Sequence, residues 1–150
     1  MTEIEIKALQ QKIIKEAISW EKTAWHHEAH VKGAGVDCGF LLIETYANCG
    51  LIPHLRPPHY PPDFMMHRSE EWFMETIQAH AFEVTDPQPG DAILYKHGRI
   101  FSHAGIVINW PTLIHASVPD KCVCYGNANL TPLSKRAYKL FRHNIFKVEE

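Results

Sequence analysis

Cys38 directly follows an aspartate, and His103 and His115 follow far downstream in short apolar runs. These residue types are the ones that acyl transfer by a thiol requires. A cysteine attacks a carbonyl as thiolate, and its unperturbed pKa of about 8.5 leaves little of it ionised at neutral pH. Two effects can lower that value here: a helix opening at Cys38, whose free N–H groups and dipole favour an anion, and an imidazole that takes the proton. Taken alone, a cysteine before a helix reads more simply as a small buried side chain. The histidines shift that balance, because Ser102-His103-Ala104-Gly105-Ile106 and Leu113-Ile114-His115-Ala116 read as neighbouring strands. Together they offer a nucleophile, a base and an orienting group. For both rings to face one side of an antiparallel pair, the connection around Asn109-Trp110-Pro111 must have odd length or a bulge. A regular loop over 109–112 sends them to opposite faces.

Several elements must hold these residues. Thr2 and Glu5 form a capping-box pattern, and Ile6, Leu9, Ile13, Ala17 and Trp20 recur at helical spacing, so the chain opens with an amphipathic helix. Residues 20–35 lack a period and read as a loop or short helical turn leading to Asp37, which is suited to cap the helix starting at Cys38. Leu42, Tyr46 and Cys49 mark one face of that helix, and Gly50 and Pro53 close it. The prolines between Pro53 and Pro62 predict an extended ordered loop. Ser69–Ala81 reads as a helix with Ser69 as its cap and Trp72, Phe73, Ile77 and His80 inward. After the turn signal Asp86-Pro87-Gln88-Pro89-Gly90-Asp91, the runs 92–95, 102–108, 113–116 and 122–125 read as strands. A helical turn and a strand near Tyr138–Arg142 finish the chain. Helices first and an antiparallel sheet second give an α+β class in a single domain over 1–150.

Composition removes some functions. Lys and Arg total 15 against 17 Asp and Glu, without a basic stretch, so nucleic acid is not an expected partner. No run approaches a membrane span, and Met1–Lys7 lacks the apolar core of a secretory signal, which predicts synthesis as a soluble cytoplasmic protein. Four cysteines are too few and irregular for a disulfide scaffold. Cys122-Val123-Cys124 reads as a strand with small buried side chains. In His26-His27-Glu28-Ala29-His30 the spacing departs from the zinc motif H-E-x-x-H, so the cluster reads as a loop or groove wall and no metal is expected. The run Lys135-Arg136 with Lys139 and Arg142 reads as a solvated face, one that an anionic glycan polymer could also use. The scattered His54, His59, His67, His80, His97 and His143 read as surface or capping residues.

In order and spacing these motifs resemble the NlpC-like family of papain-fold, cell-wall cysteine peptidases. The family pattern has an aromatic residue and a glycine-rich stretch before Gly-Phe-Asp-Cys-Ser-Gly; this chain has Trp25, then Gly35-Val36-Asp37-Cys38-Gly39-Phe40. Pro-Gly-Asp before a strand, His-x-Gly-Ile and Ile-His-Ala match at Pro89–Asp91, His103–Ile106 and Ile114–Ala116, so the resemblance spans Trp20 to Ser117. It implies N-terminal helices packed on an antiparallel sheet, Cys38 as nucleophile, His103 as general base and His115 as third member. It also implies an oxyanion contact from the Cys38 N–H, and substrate contacts from Trp25, Asp37 and Ser102. The implied reaction is hydrolysis of a peptidoglycan stem-peptide amide, between γ-D-glutamate and a diamino acid, through a thioester and without a cofactor. Departures touch recognition: Trp25 replaces a tyrosine, Glu28-Ala29 replaces paired glycines, and Gly39 replaces a serine. The proline-rich loop is similar to the short phage-tail-associated branch, which makes tail proteins possible partners and phage- or lysis-mediated delivery to the wall the route. Two other readings stay open: an amidase or acyltransferase of the same fold, and a catalytically idle tail or wall-binding module.

Overall fold

The computed structural model describes residues 1–56 and 67–148 and, within 67–71, the backbone alone. Helix α1 (Glu3–Ile18) begins on its capping box: the Glu5 N–H donates to Thr2 Oγ1 at 3.1 Å and the Thr2 N–H donates to Glu5 Oε1 at 3.0 Å. Its inward residues Ile13 and Ala17 are fully buried. The stretch read as a loop or short helical turn instead holds β1 (His30–Val31) and, at its end, β2 (Gly35–Val36), an antiparallel pair of two residues each. Strands this short carry no readable alternation.

Helix α2 (Cys38–Asn48) starts where the sequence placed it. The Phe40 N–H donates to Asp37 Oδ1 at 3.0 Å, and Gly50 turns the chain out with φ +76°. Phe40 through Ala47 are all buried, so α2 is enclosed between α1 and the sheet. Helix α3 (His67–His80) begins before Ser69, which therefore lies inside the helix and is not its cap. Of the proline-rich segment, residues 57–62 lie outside the described residues, as does His59.

The remaining strands are β3 (Ala81–Val84), β4 (Ala92–His97), β5 (Ile100–Asn109), β6 (Thr112–Ser117), β7 (Cys122–Asn127) and β8 (Tyr138–His143). They form an antiparallel six-stranded sheet of order β3-β8-β4-β5-β6-β7. The expectation of an α+β protein with helices on an antiparallel sheet holds. Alternation divides the sheet. Ala92, Leu94, Ala104, Ile106, Ile114, Ala116 and Phe141 meet the helices, while Ile93, Tyr95, Val107, Leu113 and Leu140 meet Ala128 and Leu133 on the other face. Both faces of the central strands are thus covered, which explains their unbroken apolar runs.

Two polar knots set the frame. Glu16 Oε2 accepts from Trp20 Nε1 (2.8 Å), Lys32 Nζ (2.9 Å) and Asn48 Nδ2 (3.0 Å), tying α1 to α2 and to the β1–β2 turn. The Pro-Gly-Asp turn is the other: Tyr46 donates to the Gly90 carbonyl, and Arg142 grips the buried Asp91 through Nε (2.9 Å) and Nη2 (2.8 Å). Arg142 is therefore part of a buried ion pair and not of a solvated face. Cys122-Val123-Cys124 lies in a strand as read, but the burial differs: Val123 is fully buried and both cysteines are half-exposed.

Candidate active site

β5 stays paired with β4 from Ile100 to Ile106, yet it pairs with β6 only from Gly105 onward, while β6 continues against β7 to Ser117. β5 and β6 therefore part beyond the Gly105–His115 pair. The start of α2 fills this split. The Cys38 thiol donates to the Ser102 carbonyl at 3.6 Å, and the N–H groups of Ala104, Gly39 and Cys38 itself face the sulfur. Ser102 is the extra residue of a bulge: Tyr95 pairs with His103, but Lys96 pairs with Phe101. The nucleophile candidate thus lies against the peptide on either side of His103.

The two histidines meet on one face, as the parity argument required. Gly105 pairs with His115 and Val107 with Leu113, whereas Asn109 pairs with Thr112, so Ile108 is bulged out of a tight Trp110-Pro111 turn. His103 Nε2 and His115 Nδ1 are 2.7 Å apart in a hydrogen bond, with the rings near perpendicular. Two glycines make room for this pair. A Cβ on Gly105 would lie 3.0 Å from the Ile114 carbonyl oxygen, and one on Gly126 would lie 3.0 Å from His115 Nε2. Gly105 is the glycine of the His-x-Gly-Ile motif, so that motif has a packing reason. Gly126 had no sequence signal, since it follows the run 122–125 read as a strand and enters β7 only in the structure.

Electrostatics depart from the expectation of a thiolate at a helix start. Burial, with the Asp37 carboxylate adding to it, pushes the Cys38 thiol up to about 12 despite the surrounding N–H groups. Burial also lowers His103 to about 3, with His115, His97 and Arg136 as further causes. His115 is lowered too, by burial, against the opposing pull of Asp120. The resting pair is a neutral thiol beside a neutral imidazole. Among the described contacts there is no hydrogen bond between the Cys38 sulfur and the His103 ring; the sulfur's bond is to the backbone.

The other expected residues separate. Asp37 acts as a cap: Oδ1 takes the Phe40 N–H and Oδ2 takes the Glu28 N–H at 2.9 Å. Trp25 bridges to Val36, and its N–H donates to the Lys121 carbonyl, so its backbone braces the approach to Cys38. Ser102 is exposed at the bulge. His30, of the histidine cluster, faces the buried Glu44, as do His54 and Arg56. His143 caps the last turn by accepting the Ile145 N–H and donates to the Leu51 carbonyl. Among the described residues no group of His, Cys, Asp or Glu converges to hold a metal ion, and no helix is long and apolar enough to cross a membrane.

A helix-start cysteine lodged in the parting of an antiparallel sheet defines the papain-like α+β class. The NlpC/P60 family model matches residues 20–142, and the chain belongs to that family. No curated protein matches the sequence. Among solved structures, NlpC1 of Trichomonas vaginalis superposes with a TM-score of 0.64 at 18% identity, over 89% of this chain and 43% of its own. This chain thus spans less than half the length of that relative. The peptidoglycan hydrolase RipB of Mycobacterium tuberculosis gives 0.63 at 14% identity, covering 95% of this chain and 68% of its own. RipD of the same organism, described as a non-catalytic NlpC/p60 domain protein adapted to peptidoglycan binding, gives 0.58 at 14%, with 89% and 96% covered. At these identities the likeness is one of fold.

Proposed function

We propose that this protein is a cysteine hydrolase that cleaves a stem-peptide amide of peptidoglycan, between γ-D-glutamate and a diamino acid. The observation that carries the reading is the placement of Cys38 in the β5–β6 split, against the peptide of His103, whose ring is hydrogen-bonded to His115. In the reaction the Cys38 sulfur bonds to the scissile carbonyl carbon while its proton passes to His103 Nδ1. Nε2 then carries the N–H that donates to His115 Nδ1, which fixes the ring. The Cys38 N–H, at the free end of α2, faces the developing oxyanion. Collapse breaks the C–N bond, His103 protonates the leaving amine, and water hydrolyses the thioester by the reverse use of the same groups. With a resting thiol near 12 and an imidazole near 3, proton transfer accompanies attack and does not precede it.

Purified sacculi incubated with the protein are expected to release muropeptides whose masses report this bond. A Cys38→Ala variant that digests sacculi as fast as the parent rules the mechanism out. One observation favours a second reading, a wall-binding module without turnover: the sulfur and the imidazole share no hydrogen bond, and both are held neutral. That reading predicts that the parent protein pellets with sacculi and releases nothing.

A further inference from the structure

Charge is divided unevenly along the chain. Residues 1–91 hold seven Lys and Arg against fourteen Asp and Glu, whereas residues 92–148 hold eight Lys and Arg against the single Asp120. The net charge of -2 therefore conceals an acidic first part, with the helices, and a basic part that forms strands β4 to β8. The fold decides where the basic residues collect. β4 and β5 are joined by the tight Gly98-Arg99 turn, next to the His97–Ile100 pair. The Lys96 N–H donates to the Ala137 carbonyl at 2.9 Å, so the chain entering β8 lies against the end of β4. Lys96 and Arg99 are thereby brought to Lys135, Arg136 and Lys139, which lie far downstream.

Lys96 Nζ and Lys139 Nζ stand 5.9 Å and 5.0 Å from the Phe101 ring centroid, and Arg136 acts on His97. Arg99 and Lys135 are exposed and the other three are half-buried. Among the described residues none of the five pairs with a carboxylate. Arg142, which the sequence groups with them, is held by Asp91 and stands apart. Cations gathered in this way repel one another. A chain of phosphodiesters laid over the exposed turn relieves them together and releases its own counterions, so the attraction grows with the number of phosphates presented.

We propose that the β4–β5 turn and the approach to β8, through Lys96, Arg99, Lys135, Arg136 and Lys139, form a docking surface for a phosphodiester polymer of the cell wall. The proposal rests on the hydrolase reading for the place where the protein acts. The surface borders the candidate site, because the His97 ring is 5.7 Å from that of His103. It lies on the β4 side of β5, whereas the split opens on the β6 side, so a docked polymer holds the protein at the wall and leaves the split to the stem peptide.

Sacculi that keep their phosphodiester polymer and sacculi stripped of it by hydrofluoric acid test this by co-sedimentation with Cys38→Ala, which leaves the wall uncut. Intact sacculi are expected to bind about tenfold more tightly, a preference that closes in high salt. Adding Arg99→Gln/Lys135→Gln, both at exposed positions, should remove most of that preference. Lys7→Gln/Lys12→Gln makes the same change of charge at exposed positions of α1 and should leave it intact. With Cys38 present, Arg99→Gln/Lys135→Gln should cleave a soluble stem tripeptide at the parental rate and digest intact sacculi severalfold more slowly. Equal binding to intact and stripped sacculi, a preference that survives Arg99→Gln/Lys135→Gln, or an equal loss in Lys7→Gln/Lys12→Gln overturns the surface. So does binding to phosphatidylglycerol vesicles or duplex DNA without binding to intact sacculi, which assigns the charges to a membrane or to nucleic acid. Failure of the hydrolase reading shows separately, as a parent protein that prefers intact sacculi and releases nothing from either kind.

Discussion

At the scale of single residues, the site couples a thiol and an imidazole that both resist charge. Only a thiolate is alkylated, so iodoacetamide labelling of Cys38, mapped by mass spectrometry, is expected to be slow at pH 7 and to climb through the alkaline range. Fast labelling at neutral pH that vanishes in His103→Ala would instead reveal a preformed ion pair. The glycines around His115 make a second forecast. In Gly126→Ala the new methyl lies 3.0 Å from His115 Nε2 and 3.1 Å from Leu133 Cδ1, so the ring moves off His103. Muropeptide release should fall severalfold while stability drops by about 1–2 kcal/mol, read from sacculus digestion and urea unfolding. The triad candidates were legible because their types and neighbours are unusual together, whereas strand parity left the shared face of His103 and His115 open until the bulge at Ile108 decided it. The raised thiol was not legible. It arises from enclosure in the β5–β6 split, which depends on where two strands stop pairing, and that register is not written in either strand alone.

At the scale of elements, the Pro-Gly-Asp turn does more than end one segment. Its aspartate, 2% exposed, is held by Arg142 from β8, and its glycine carbonyl by Tyr46 from α2, so turn, sheet and helix are joined at one point. Arg142→Met leaves the Asp91 charge buried without its partner and is expected to cost about 3–5 kcal/mol in urea unfolding. Adding Asp91→Asn should restore part of that loss, because the charge is then gone. A cost below 1 kcal/mol for Arg142→Met would show that water reaches Asp91. Long, periodic elements were readable: α1, α2 and strands β4 to β8 fall where their patterns placed them. β1, β2 and β3 were not, since two to four residues give alternation nothing to act on. The half-exposed cysteines of β7 show the same weakness, as an apolar alternation does not say which set faces inward.

At the scale of the whole molecule, acid should unfold the protein through its buried imidazoles before its carboxylates. His103 and His115 are lowered by burial, so the unfolded chain takes up their protons first as pH falls from about 6.5. The stability they contribute is complete above that value and is lost progressively toward pH 3. The urea midpoint should fall across this window, and His103→Gln, which cannot be protonated, should flatten its upper part. An unchanged slope in that variant would locate the acid sensitivity elsewhere. The split between β5 and β6 has a further mechanical meaning. The two strands remain joined at Gly105 and His115 and diverge beyond them, so any widening is a rotation about that last rung. A guest that enters the fork moves β6 together with β7, to which β6 stays bonded as far as Ser117. Hydrogen exchange on bound protein should therefore quicken at the fork and leave the ladder from Ile106 to Asn109 as the fixed pivot.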